Sequence, residues 1–154
     1  MSSWNRAVNL SNVLRHLQIK SNNYKNQVDA GAKTVMINSG LINGIPVHAD
    51  YNLLINVLRN KLDFQGVILT DWEDIRKLHD RDKVAKSQKE AVKIAINAGI
   101  DMVMVSGQSQ PYKKFIRLLK ENVEEGLIPM SRIDDAVTRI LKVKIRNGLN
   151  EKKS

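Results

Sequence analysis

From residue 33 onward, short unbroken apolar runs alternate with longer stretches in which apolar residues recur every three or four positions. The runs are Thr34-Val35-Met36-Ile37, Val67-Ile68-Leu69-Thr70 and Met102-Val103-Met104-Val105. Their length and composition read as strands buried on both faces. The stretches between them read as helices. Leu54, Val57, Leu58 and Leu62 share one face behind Asp50, which can cap them. Ser87-Gln88-Lys89-Glu90 forms a capping box ahead of Ala91, Ile94, Ala95 and Ala98, with Gly99 as terminator. Pro111 suits the first turn of a helix carrying Phe115, Leu118, Leu119 and Val123, ended by Gly126. Ser131 and Asp134 start a last helix with Ile133, Val137, Ile140 and Leu141 inward and Gly148 at its end. The first 30 residues hold a weaker helical stripe, Leu10, Val13, Leu14 and Leu17.

Consecutive strand–helix alternation predicts an α/β fold of parallel strands joined by right-handed crossovers. Three strands are too few to close a barrel, which takes eight. The pattern therefore leaves a small open sheet or a piece of a barrel. No Gly-x-Gly-x-x-Gly follows a strand, and there is no phosphate-binding loop.

Composition narrows the classes. With 154 residues and 42% apolar content the chain is long enough for one domain with a core. The absence of cysteine excludes disulfides and thiolate metal sites. Arg6, Arg15 and His16 interrupt the N-terminus, so it does not read as a secretory signal. No apolar stretch approaches the roughly 20 residues that cross a membrane. The net charge of +9 is uneven: residues 1–75 carry 7 Lys/Arg against 6 Asp/Glu, and residues 76–154 carry 18 against 10. A nucleic-acid surface would interleave those cations with aromatics, and the second half offers Tyr112 and Phe115 alone. Solvated helix faces explain the charge better, including the run from Lys142 onward.

The chemistry concentrates in Gly66-Val67-Ile68-Leu69-Thr70-Asp71-Trp72-Glu73. Asp71 stands at the carboxyl end of the second strand, where parallel α/β folds place their reacting groups. By periodicity alone Asp71 reads as a turn cap. Trp72 has two readings that stay open, a flat apolar face for a sugar ring or a hydrophobic plug over the strand ends. His48 reads as a buried, hydrogen-bonded histidine near the Asp50 cap, and His16 and His79 as surface residues. Asp101 starts its strand at the end away from the chemistry and reads as structural. Asp134 and Asp135 suit a helix N-terminus. No His/Asp/Glu spacing resembles a metal site, and no cofactor is implied.

Several segments together carry a resemblance. They are Gly31 to Met36, Asn43-Gly44-Ile45-Pro46-Val47-His48-Ala49, Leu58-Arg59 running to Phe64-Gln65-Gly66, Thr70-Asp71-Trp72-Glu73, Ala98-Gly99-Ile100-Asp101-Met102, and Pro129 to Leu141. In order and spacing this stretch resembles the last part of the catalytic barrel of family 3 glycoside hydrolases, the β-glucosidase and β-glucan exohydrolase group. The resemblance covers residues 23–149, leaving 1–22 unassigned and 150–154 as a tail. It implies a partial (β/α)8 barrel, its last three strands and final helix. It implies retaining hydrolysis of β-glucosides or β-glucan oligosaccharides, with Asp71 as nucleophile and Trp72 at the sugar. It argues against Glu73 and Asp74 as the acid/base, because in the family that glutamate comes from a separate domain after the barrel. Ser39 stands where many members have a tyrosine. On this reading the chain is a fragment inactive alone, with self-association expected through unpaired strand edges. The alternative is a non-catalytic remnant or interaction module with the same partial fold.

Overall fold

The computed structural model describes residues 24–105 and 109–149. The chain divides into two compact units, Met1–Ala32 and Lys33–Ser154. In the first, residues 24–29 form a helix, α1, on which Lys25 Nζ meets the Asp29 carboxylate at 2.7 Å. The stripe Leu10 to Leu17, with His16, lies outside the described residues.

The second unit holds the sheet. β1 (Thr34–Met36) pairs in parallel with β4 (Val67–Leu69), Val35 opposite Ile68 and Met36 opposite Leu69. The parallel pairing is the one the alternation predicts. The third apolar run joins at one residue, through a parallel bridge between Leu69 and Met102, and does not form a strand over 102–105. The reason is visible in its next bonds. The Met104 amide goes to the Thr70 side-chain oxygen at 2.9 Å, and the Met104 carbonyl accepts the Glu73 amide at 3.1 Å. A side chain and a turn thus take the groups that a strand ladder would have used. Gly66 is required where β4 begins, since a Cβ there would lie 2.3 Å from the Lys33 carbonyl oxygen.

Between β1 and β4 the chain makes a hairpin, β2 (Leu41–Ile42) with β3 (Ile45–Pro46). Its turn is Asn43-Gly44, both at positive φ (51° and 80°), the pair that such tight turns favour. Two-residue strands are too short to display alternation, so the apolar pattern does not predict this hairpin.

The helix that follows, Asn52–Lys61, is wider than an α-helix: the Leu62 amide reaches back five residues to the Val57 carbonyl at 2.9 Å. Asp50 caps it as expected, its Oδ1 accepting the Leu53 amide at 3.0 Å. A short helix, α2 (Asp74–Asp80), lies in a stretch for which the apolar pattern predicts no element. In α3 (Gln88–Ala98) the capping box forms with a one-residue offset. Ser87 Oγ accepts the Glu90 amide at 3.1 Å, and Glu90 returns to the Lys86 amide at 2.7 Å.

α4 (Ser109–Glu124) takes in Pro111 near its start, as expected. α5 (Met130–Arg146) starts one residue earlier than expected, after an extended Pro129, and neither Ser131 nor Asp134 caps it. Its inward face also differs. Ala136 is buried, whereas Val137 and Leu141 are exposed. Arginines on the same side as Ala136 make the contacts instead. Arg132 reaches the Ile96 and Ile100 carbonyls at 3.1 and 2.9 Å, and Arg139 reaches the Gln65 carbonyl at 3.1 Å. Ile133 and Ile140 are half-buried as expected, so only part of the aliphatic stripe, Val137 and Leu141, is turned outward.

The core lies between sheet and helices, around Phe64, Ile68, Leu78, Ala91, Ala95, Ile100 and Ile128, all buried. Asp101 closes its lower end. One carboxylate oxygen accepts the Ile68 amide at 2.8 Å and pairs with Arg59, and the other pairs with Arg132. The structural role read for Asp101 is what these bonds describe.

Candidate functional site

β4 is the central element of the sheet, with β1 on one side and Met102 on the other. Its direction carries the chain through buried Thr70 to Asp71 at the carboxyl edge. Thr70 fixes the exit from the strand. Its amide donates to the Met102 carbonyl at 3.1 Å while its hydroxyl oxygen accepts the Met104 amide. Asp71 is half-buried, and its Oδ1 accepts the amide of Trp72 at 2.6 Å. A carboxylate so placed is held by backbone yet open to solvent on its outer side. The Trp72 side chain is 52% exposed, so a large part of the indole stays available to a ligand.

Glu73 takes a left-handed conformation (φ 56°, ψ 19°), which turns the chain sharply into α2. Its carboxylate lies 3.8 Å from Arg76. Asp74, the first residue of α2, is buried, and its carboxylate makes the densest polar cluster near Asp71. Oδ1 accepts from Ser39 Oγ and, at 2.6 Å, from Lys77 Nζ. Lys77 also donates to Ser39 Oγ at 3.0 Å, and Arg81 donates to the Ser39 carbonyl at 2.9 Å. Oδ2 lies 3.1 Å from His48 Nε2, although the two atoms are poorly aligned for a hydrogen bond. Burial pushes the His48 imidazole below its ordinary titration range. Asp74 opposes that shift, Lys77 adds to it, and Asp71 opposes it more weakly.

This cluster corrects one expectation and adds several residues. His48 is buried as expected, but its charged neighbour is Asp74. Pattern reasoning missed Asp74, Ser39 and Lys77 as a group. The trace that marks them in the sequence is the spacing Asp74, Lys77, Arg81, which places all three on one side of a helix. With its carboxylate buried and committed to these partners, Asp74 is a poor acid/base candidate. His79 is half-buried rather than fully on the surface, with Nδ1 3.0 Å from the Ala85 carbonyl.

A cavity of about 560 Å³ opens beside the site, lined by Glu73, Arg76, Met104, Lys113, Phe115 and Leu118 among others. Asp71 and Trp72 do not line it, so this cavity and the candidate chemistry are separate places. No described helix is long and apolar enough to cross a membrane.

Comparison with known proteins gives a consistent result. The family model "Glycosyl hydrolase family 3 N terminal domain" matches residues 8–143. A lysosomal beta glucosidase of Dictyostelium discoideum is 48% identical over 120 residues, which is 78% of this chain and 14% of that protein. A periplasmic beta-glucosidase of Salmonella typhimurium is 34% identical over 126 residues, 82% of this chain and 16% of that one. Among solved structures, a beta-glucosidase from Listeria innocua superposes with a TM-score of 0.74 at 32% identity, over 82% of this chain and 16% of its own. That enzyme has also been solved with glucose and, as a mutant, with laminaribiose. The chain thus spans about one-seventh of the curated relatives' length.

Proposed function

Because the chain belongs to glycoside hydrolase family 3, we propose that it carries the nucleophile-bearing part of a retaining β-glycosidase, with Asp71 as the nucleophile. The observation behind this is the position of Asp71, just past the carboxyl end of the central strand and held by the Trp72 amide. In this reading residues 23–149 are the last three strand units and final helix of a (β/α)8 barrel, with 1–22 before them and 150–154 after. Asp71 attacks the anomeric carbon of a β-glucoside or β-glucan oligosaccharide and forms a covalent glycosyl ester as the bond to the leaving-group oxygen breaks, that oxygen taking a proton from a second carboxyl group. Water then cleaves that ester, and the two displacements together retain configuration. Trp72 offers its exposed face to the sugar. The second carboxyl group, which retaining chemistry needs roughly 5–5.5 Å from the first, is not supplied by Asp74. By itself the chain is expected to be inactive.

A segment exchange tests the assignment. Residues 33–143 replace the matching segment of the Dictyostelium relative, and the chimera is assayed with an aryl β-glucoside. Asp71→Gly in the chimera is expected to lower kcat by about 10³-fold or more, as loss of a transition-state group does. Azide is then expected to restore turnover with formation of the α-glucosyl azide, since a small anion fits the space left by the carboxylate. Full activity in Asp71→Gly would remove the assignment.

A further inference from the structure

We propose that Asp74 is a positioning residue for Asp71: it locks the left-handed turn at Glu73 onto the hairpin and so fixes the direction in which the Asp71 carboxylate leaves the strand. The proposal rests on the reading of Asp71 as nucleophile and adds a residue to it.

Two clamps hold the 70–74 segment. The first is the 102–104 stretch, which takes the Thr70 and Glu73 amides on the Met102 and Met104 carbonyls. The second is Asp74, which meets Ser39 and Lys77 through one oxygen and approaches His48 with the other. Ser39 precedes the β2–β3 hairpin and His48 follows it, so one carboxylate bonds the first arm and packs against the second at the start of α2. Glu73 lies between the clamps. Left-handed backbone is unfavourable for a residue with a Cβ and persists only where its surroundings impose it. With Asp71 two residues earlier, relaxation of Glu73 would re-aim the carboxylate. Displacement of a reacting group by about 1 Å can cost about 10²-fold in rate.

The plainer alternative is that Asp74 only complements the positive end of the α2 dipole. Its contacts argue otherwise. The N-terminus of α2 has no side-chain cap, and the Asp74 side chain is committed to Ser39 and Lys77. Burying a carboxylate is costly without such partners.

Amide hydrogen exchange on the full chain, residue by residue, tests this. In Asp74→Ala the Trp72 and Glu73 amides are expected to exchange about tenfold faster or more, the equivalent of about 1.4 kcal/mol of local opening. Ala91 and Ala95 in α3 should keep their wild-type rates. Adding Glu73→Gly to Asp74→Ala should restore slow exchange at 72 and 73, because glycine adopts the left-handed conformation without strain. Should Asp74→Ala not fold, Ser39→Ala removes one arm of the clamp, and faster exchange at the same two amides is expected. Unchanged exchange at 72 and 73, an equal acceleration in α3, or no restoration by glycine would each overturn the proposal. The readout involves no turnover, so its failure leaves the nucleophile reading standing. Conversely, failed azide rescue in the chimera leaves the exchange result intact.

Discussion

Asp101 accepts the backbone amide of Ile68 at 2.8 Å, from within the buried ion cluster it forms with Arg59 and Arg132. The strand that leads to Asp71 is thereby fastened at its middle residue by another carboxylate. Arg59 extends the fastening, donating to the Phe64 and Gly66 carbonyls at 2.9 and 2.5 Å. Removing one partner of a buried pair leaves the others uncompensated, at a cost of about 3–5 kcal/mol. Asp101→Ala should therefore lower stability by that amount in urea denaturation at low protein concentration. The exposed control Asp134→Ala should stay within about 0.5 kcal/mol. Equal effects from the two would show that Asp101 is not the anchor of β4.

The buried histidine gives stability a pH dependence of definite sign. Burial lowers the His48 pKa in the folded chain, so the unfolded chain binds the proton more readily. Stability is then full above the unfolded value of about 6.5 and falls as pH drops through it toward the folded value. Lys77 and Arg81 add to the lowering, while Asp74 and Asp71 oppose it. The urea midpoint should fall between pH 7 and pH 5, and His48→Gln should flatten that slope. An identical slope in the variant would assign the dependence to other groups.

What was legible in the sequence follows the range of the forces involved. The parallel pairing of the first two apolar runs and the Asp50 and Ser87 caps depend on unbroken apolar runs or on bonds close in sequence. Elements that depend on distant partners were hidden. The third run reads as a strand, yet Thr70 and Glu73 take its hydrogen bonds. α2 is seven residues long with Ile75 and Leu78 as its buried apolar positions, too few to show a period. The Asp74 cluster joins residues 35 positions apart, Ser39 to Asp74, and no local pattern marks such a pair. In α5 half of the apolar stripe, Ile133 and Ile140, is half-buried, while Val137 and Leu141 face outward beside the arginine contacts.

The chain alone should show no useful turnover of an aryl β-glucoside. On the proposed reading it supplies the nucleophile without the acid/base, and general acid/base assistance alone contributes typically about 10²–10⁴-fold. Substrate positioning by the remaining strands of a barrel would be missing as well. Assays of the purified chain, with Asp71→Asn as the blank, check this. Robust turnover that disappears in Asp71→Asn would mean that a second carboxyl group within the chain completes the site.

The apolar surface predicts association. Met36, Leu69 and Met102 occupy one row across the sheet, with Met36 53% and Met102 41% exposed. Val137, Leu141 and Ile145 are also exposed and recur every four residues along α5. Among the described residues β1 has no strand on its outer edge. An open edge and contiguous apolar surface both favour pairing with another chain. The chain should therefore associate as concentration rises, in static light scattering or sedimentation. Met36→Lys should weaken association through the sheet, and Leu141→Lys association through α5, because a charge buried in either contact would lack a partner. Comparing the two variants identifies which surface dominates. A monodisperse monomer with a sharp thermal transition at all concentrations would instead mean that the chain closes its own core, and the partial-barrel reading would fall with it.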